Sequence, residues 1–200
     1  MAYSDFTLEK FCNKFNFELK NCELFKEYNF ESSLIFKTIL QESQKISLSS
    51  EKARSEAIIF PILQEVSRHN NYEIGIYSGS NLNANPSKEL NGECDFILST
   101  KNQKYLVQSP IFGLVEAKKD DINDNSIGQC AAQMYGARIL NERDNNGIYT
   151  IFGAVTTGEI WQFMKLEDQT LWIDEKRYYI DRVEQILGIL QNIVDKYKVQ

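Results

Sequence analysis

The chain contains 200 residues, of which 42% are hydrophobic and 25% charged, a composition typical of ordinary globular proteins and not of disordered, fibrous or membrane-embedded chains. Lys and Arg number 22 against 28 Asp and Glu, and the net charge of −6 has the wrong sign for a protein that coats nucleic acid by neutralising phosphates. Any contact with DNA is therefore expected to be local.

The cysteine and histidine content excludes several kinds of site. The four cysteines form no Cys-x-x-Cys pair, and Cys94 and Cys130 lie in apolar stretches, which favours reduced thiols in a cytoplasmic protein. A single histidine, His69, excludes sites built on two histidines, and the phosphate-binding glycine motifs are missing. No apolar run is long enough to predict a secretory signal or a membrane span, so we expect a cytoplasmic location and no membrane partner.

Residues 1–45 are predicted to form a small Phe-rich helical appendage. Seven of the 12 phenylalanines lie in residues 1–36. Apolar spacing after Thr7, and again after Ser32 or Ser33, predicts two short helices with capped N-termini. The polar run at 41–50 is the most suitable boundary, so residues 46–200 are expected to form the main domain.

The main domain is predicted to begin with a helix, capped by Ser49 or Ser50, over residues 51–69. Whether Pro61 kinks this helix or starts a second one stays open at this point. Short apolar runs bounded by turn residues predict five strands, at 72–79, 92–99, 111–118, 149–156 and 160–166. A helix over 125–142 separates the third strand from the fourth, and an amphipathic helix ends the chain. This order predicts an α/β fold with a mixed central sheet flanked by helices.

Two acidic residues lie where a purely structural role would rarely place them. Glu56 is three residues after Ala53 and four before Phe60, so helical geometry aligns it with the apolar side of its helix. Asp95 directly precedes an apolar strand, although aspartate is disfavoured inside strands. Two other interpretations stay open: Glu56 remains solvated at the edge of the apolar stripe, and Asp95 hydrogen-bonds a turn.

Glu116 and Lys118 end the third predicted strand, and their side chains point to the same face of the sheet because strand residues alternate. Mg²⁺ prefers oxygen ligands and takes one or two carboxylates from the protein while keeping several waters. A neighbouring lysine can orient such a water or help to deprotonate it. Asp95, Glu116 and Lys118, with Glu56 approaching from a helix, therefore meet the requirements for phosphodiester hydrolysis with Mg²⁺, or with Mn²⁺ as a substitute.

This ordered set resembles the PD-(D/E)XK nuclease superfamily over about residues 50–166. The resemblance implies a restriction-endonuclease-like core in which three acids bind the metal, namely Glu56, Asp95 and Glu116. It also implies that Lys118 is the water-orienting base or charge stabiliser, and that Gln129 or Gln133 is the glutamine that follows the motif in some branches. Cys94 stands where the family name has proline, and the spacing of Tyr135 from Gln133 leaves the branch open.

The implied activity is Mg²⁺-dependent hydrolysis of DNA, as an endonuclease or an exonuclease. The alternative is a catalytically silent module of the same fold that binds nucleic acid or a protein partner. The passage VEAKKDDINDNSIGQCAAQMYGARILNE, with NGECDF before it and VTTG-x-x-W-x-F after it, is also similar to uncharacterised cyanobacterial proteins of about this length. That similarity covers nearly the whole chain, supports the fold and implies no activity. Because no separate DNA-binding domain is recognisable, sequence specificity would require a homodimer, a specificity subunit or the Asn-rich loop at 81–91. Three roles stay open for the C-terminal helix: contact with a partner in a toxin–antitoxin or restriction accessory role, a dimer surface, or part of the core.

Overall fold

The computed structural model describes residues 2–26 and 28–198. They form an α/β protein around an open, mixed sheet of seven strands in the order β1-β7-β6-β5-β4-β3-β2. The strands are β1 (Glu18–Cys22), β2 (Gly75–Asn81), β3 (Glu93–Ser99), β4 (Ile111–Ala117), β5 (Ile151–Thr156), β6 (Ile160–Glu167) and β7 (Thr170–Tyr179). Two neighbouring pairs, β1 with β7 and β4 with β5, are parallel, and the others are antiparallel.

The helices are α1 (Leu8–Phe15), α2 (Leu34–Ser43), α3 (Glu51–Arg54), α4 (Phe60–His69), α5 (Asp124–Arg143) and α6 (Val183–Asp195). A π-helical turn, Ser55–Ile59, joins α3 to α4, so residues 51–69 form one continuous helical run. Pro61 lies in the first turn of α4, where its missing N–H is tolerated next to the widened π turn. Of the two alternatives that the sequence left open, the structure shows the second: Pro61 lies in the first turn of a second helix, α4, which continues from the π turn.

The predicted α/β class and mixed central sheet are confirmed. All five predicted strands are present, and α5 and α6 match the two helices predicted after β4. The side chains of Thr7, Ser33 and Ser50 accept hydrogen bonds from the first turns of α1, α2 and α3, as N-caps do. The N-terminal region differs from the helical appendage that was predicted, because it also contributes strand β1 to the main sheet.

Helices cover both faces of the sheet, and strand alternation divides the buried residues between them. One apolar cluster, which includes Val115, joins the sheet to α4 and α6. The other, which includes Leu114, joins the opposite face to α1 and α5. Because side chains alternate along β4, residue 116 points to the α5 face, as Leu114 does. No helix in the described part of the chain is long and apolar enough to cross a bilayer.

Candidate active site

Strands β3 and β4 bring two of the predicted acids together where the two strands meet α5. Phe96 pairs with Val115 in the antiparallel ladder, so Asp95 and Glu116 are the next residues along each strand. The Oδ2 atom of Asp95 accepts a hydrogen bond of 2.7 Å from the backbone N–H of Ala117. Asp95 is therefore held by the end of the strand that carries Glu116.

Glu116 is buried, with 2% of its surface exposed, and both of its carboxylate oxygens are hydrogen-bonded. Lys118 Nζ donates to Oε1 at 2.5 Å, and Gln133 Nε2 donates to Oε2 at 2.7 Å. Lys118 Nζ also donates to Gln129 Oε1 at 3.2 Å. Since residues four apart lie on the same side of a helix, α5 presents both glutamines to β4. Five of the six predicted site residues therefore form one connected group.

Burial and mutual proximity shift the ionisation of this group. Burial, together with the negative charge of Asp95, raises the pKa of Glu116 to about 7, and Lys118 and Gln133 oppose the rise. Burial also raises the pKa of Asp95, against the hydrogen bond from Ala117. Burial lowers the pKa of Lys118, but the charges of Glu116 and Asp95 outweigh burial and leave that pKa raised. Lys118 is therefore an ammonium ion at neutral pH, which suits charge stabilisation better than proton abstraction.

The charge of Glu116 affects the pKa values of two buried thiols. Burial raises the pKa of Cys94 and of Cys130, and the negative charge of Glu116 adds to both shifts. Both cysteines are free and buried, in agreement with the prediction of reduced core thiols. Both shifts favour the protonated thiols over the thiolates.

The prediction that Glu56 aligns with the apolar side of its helix is wrong. Its side chain is 69% exposed, and its nearest ionic partner is Lys52, 4.0 Å away. The π turn places more residues in one turn than an α-helix does, so the apolar side shifts to Ile58 and Ile59. Within the described residues, no hydrogen bond or ion pair connects Glu56 to Asp95 or Glu116.

Glu51, which the sequence analysis missed, is the helix acid whose charge reaches the site. It is the first residue of α3, directly after the N-cap Ser50. Its negative charge contributes to the raised pKa values of Asp95 and Lys118. The sequence does place Glu51 in the first turn of a predicted helix, where acidic residues are favoured. Because this preference is general, it does not indicate a functional site.

We expect Glu51→Gln to weaken Mn²⁺ binding and Glu56→Gln to leave it unchanged. The first variant removes a negative charge that acts on Asp95, whereas the second removes an exposed charge within the π turn. A loss of about 10-fold is typical for a group that supports a metal site without defining it. Calorimetric titration of both variants measures the difference. Equal affinities in the two variants would exclude Glu51 from the site.

The donor set fits a hydrated Mg²⁺ better than a metal held by protein ligands alone. Within residues 2–26 and 28–198, no three acidic, cysteine or histidine side chains converge to hold a metal ion. Mg²⁺ needs only one or two carboxylates, and a divalent cation would offset the repulsion between Asp95 and Glu116. The buried Oε1 of Gln133 has no hydrogen-bond partner in the described part of the chain, so a water bound there would donate the hydrogen bond that this oxygen lacks. Asp95 and Glu116 therefore fit the metal that the sequence suggests.

The chain matches no protein-family model, and it shows no significant similarity to a curated protein or to a solved structure.

Proposed function

We propose that the protein is a Mg²⁺-dependent phosphodiesterase that hydrolyses DNA. The observation that carries the proposal is the buried Glu116 beside Asp95, hydrogen-bonded to Lys118 and Gln133. Removing a carboxylate from water costs several kcal/mol unless cations or hydrogen bonds compensate. A second carboxylate beside it adds repulsion, which a purely structural role would avoid. The arrangement supports a site whose working form contains a divalent cation.

In the proposed reaction, Asp95 and Glu116 would bind the cation, and their neighbours orient these two carboxylates. When bound, Mg²⁺ would polarise a phosphoryl oxygen and lower the pKa of a bound water. The amide of Ala117 orients Asp95, and Gln133 orients Glu116. The ammonium of Lys118 stabilises the negative charge that develops on the phosphate, which agrees with its raised pKa. Gln129 keeps that ammonium beside Glu116.

DNA cleavage is the direct test of this function. We expect the wild-type protein to cleave plasmid or single-stranded DNA with Mg²⁺ or Mn²⁺, and Asp95→Asn to lose at least about 100-fold of this activity. Asp181→Asn is the matched control, because Asp181 is an exposed aspartate in the turn before α6. Calorimetry with Mn²⁺ measures binding in parallel, and Asp95→Asn should bind more weakly than the control.

Two outcomes would contradict the proposal. An absence of cleavage, together with equal Mn²⁺ affinity in Asp95→Asn and in the control, would contradict both the proposed activity and the proposed metal site. Salt-dependent DNA binding without turnover, unchanged in Asp95→Asn, would favour a catalytically silent module that binds nucleic acid. Both DNA forms are needed, because a cleaved plasmid indicates an endonuclease, whereas degradation of linear strands alone indicates an exonuclease.

A further inference from the structure

Arg54, at the end of α3, donates hydrogen bonds to backbone carbonyls in three separate segments. Its Nε donates to Leu48, just before α3, at 3.0 Å. Its Nη1 donates to Lys119, just after β4, at 3.0 Å, and to Thr157, just after β5, at 3.4 Å. The side chain is only 23% exposed, and its acidic neighbour Glu159 is 4.0 Å away. Among the described residues, the close polar partners of Arg54 are thus backbone carbonyls, and its ion pair with Glu159 is a long one.

The two strand ends that Arg54 contacts are the ones that hold Lys118. The backbone N–H of Lys118 donates to Thr156 at 2.8 Å, so Lys118 and Thr156 already join β4 to β5. Arg54 binds the next carbonyl after each of these two residues. A tight turn follows β5, in which Gly158 adopts a φ of +85°, and a Cβ at Gly158 would lie 3.6 Å from the Cβ of Arg54. Helix α3 therefore packs directly on this turn.

Only arginine among the cationic residues provides this set of donors. Its planar guanidinium directs five N–H groups in fixed directions, so one side chain can bind carbonyls of divergent segments. Lysine has one ammonium on a flexible stem and cannot reproduce the same arrangement. Glu51 precedes Arg54 by three residues on the same short helix, so whatever fixes Arg54 also fixes Glu51.

We propose that Arg54 is a positioning residue for the candidate site. It joins α3 to the ends of β4 and β5, and so it fixes the placement of Glu51 relative to Asp95 and Lys118. Because Arg54 supports the site of the proposed nuclease, this inference rests on the proposed function. Arg54 need not contact the substrate or the cation, and it acts through the residues that do.

A double-mutant cycle in Mn²⁺ affinity separates positioning from a general structural role. We expect Arg54→Gln to weaken Mn²⁺ binding about 10-fold, as mutations that disturb the support of a metal site do. Arg54→Lys should lose about as much Mn²⁺ affinity, because lysine keeps the charge but not the directed set of N–H donors. In a Glu51→Gln background, Arg54→Gln should reduce the Mn²⁺ affinity little further, because Arg54 acts on the site through the placement of Glu51. Additive losses would overturn the proposal.

Amide hydrogen exchange of the metal-free protein tests the same inference without any metal or DNA. In Arg54→Gln, the amide of Lys118 should exchange at least about 10-fold faster, whereas the amides of α5 should keep their wild-type rates. Arg143→Gln, at an exposed arginine near the end of α5, is the control and should change neither. Unchanged exchange at Lys118, or equally faster exchange throughout α5, would overturn the proposal. A wild-type protein that binds no Mn²⁺ would contradict the proposed function alone, because the exchange experiment stands by itself.

Discussion

Lys118→Met is expected to reduce Mg²⁺-dependent DNA cleavage by about 100- to 1000-fold while Mn²⁺ affinity stays close to that of the wild-type protein. The change keeps an unbranched apolar side chain of similar length and removes only the ammonium. A group that stabilises charge in the transition state is worth a factor of this size. Because Lys118 is no ligand of the cation in the proposed mechanism, its loss acts on turnover and not on metal binding. Cleavage rates at saturating Mg²⁺ and calorimetry with Mn²⁺ measure the two effects separately.

The neighbouring lysine supplies the matched control. Lys119 is exposed and contributes only its backbone carbonyl to the contacts around the site. Lys119→Met should therefore cleave DNA within a few-fold of the wild-type rate. Equal rates for the two variants would show that Lys118 has no part in the reaction. A large loss of Mn²⁺ affinity in Lys118→Met would instead assign Lys118 to holding Glu116 in place, as the hydrogen bond at 2.5 Å allows.

The grouping of Asp95, Glu116 and Lys118 was predictable because it depends on local rules. Strand alternation places residues 116 and 118 on one face, and an antiparallel pair of neighbouring strands brings residue 95 opposite residue 116. The spacing of Gln129 and Gln133 needs only an unbroken helix. Each of these relations depends on the fixed period of a strand or a helix, so it can be predicted from the spacing of residues in the sequence.

Glu56 shows where such reasoning fails. The prediction assumed one helical period over residues 51–69, and the π turn at Ser55–Ile59 breaks that period. A single wide turn rotates every later residue relative to the earlier ones, and the helix acid whose charge acts on Asp95 is Glu51 and not Glu56. Because π turns are rare, an apolar pattern is interpreted with the α-helical period unless the structure shows otherwise.

The missed strands have a different cause. Strand β1 is short and polar and lies at the edge of the sheet, while β7 contains four consecutive charged residues, Asp174 to Arg177. Neither shows the alternation that predicts a half-buried strand. Their pairing joins residues 18–22 to residues 170–174, and contacts between such distant segments leave no local pattern. The same pairing explains why the N-terminal region contains a strand as well as helices.

The metal-free protein is expected to lose stability as the pH rises from about 4.5 to about 7, the interval between the ordinary pKa of glutamic acid and the raised pKa of Glu116. In this interval the folded protein binds more protons at Glu116 than the unfolded chain does. The free energy of unfolding therefore falls with rising pH. This contribution is fully present below the lower value and is lost as the pH passes the upper one. One pKa unit corresponds to about 1.4 kcal/mol, so the total change is up to about 3 kcal/mol.

Glu116→Gln should flatten this dependence and raise the stability of the metal-free protein at pH 8. The amide mimics the protonated carboxyl, and Gln133 can turn over so that its unpartnered Oε1 accepts a hydrogen bond from the new amide. Glu56→Gln changes an exposed carboxylate and should keep the wild-type slope. Urea unfolding between pH 4.5 and pH 8 measures all three proteins. Added Mn²⁺ should stabilise the wild-type protein more at pH 8 than at pH 5, because the cation binds deprotonated carboxylates, and it should stabilise Glu116→Gln much less. A wild-type slope in Glu116→Gln would show that Glu116 does not titrate in this range.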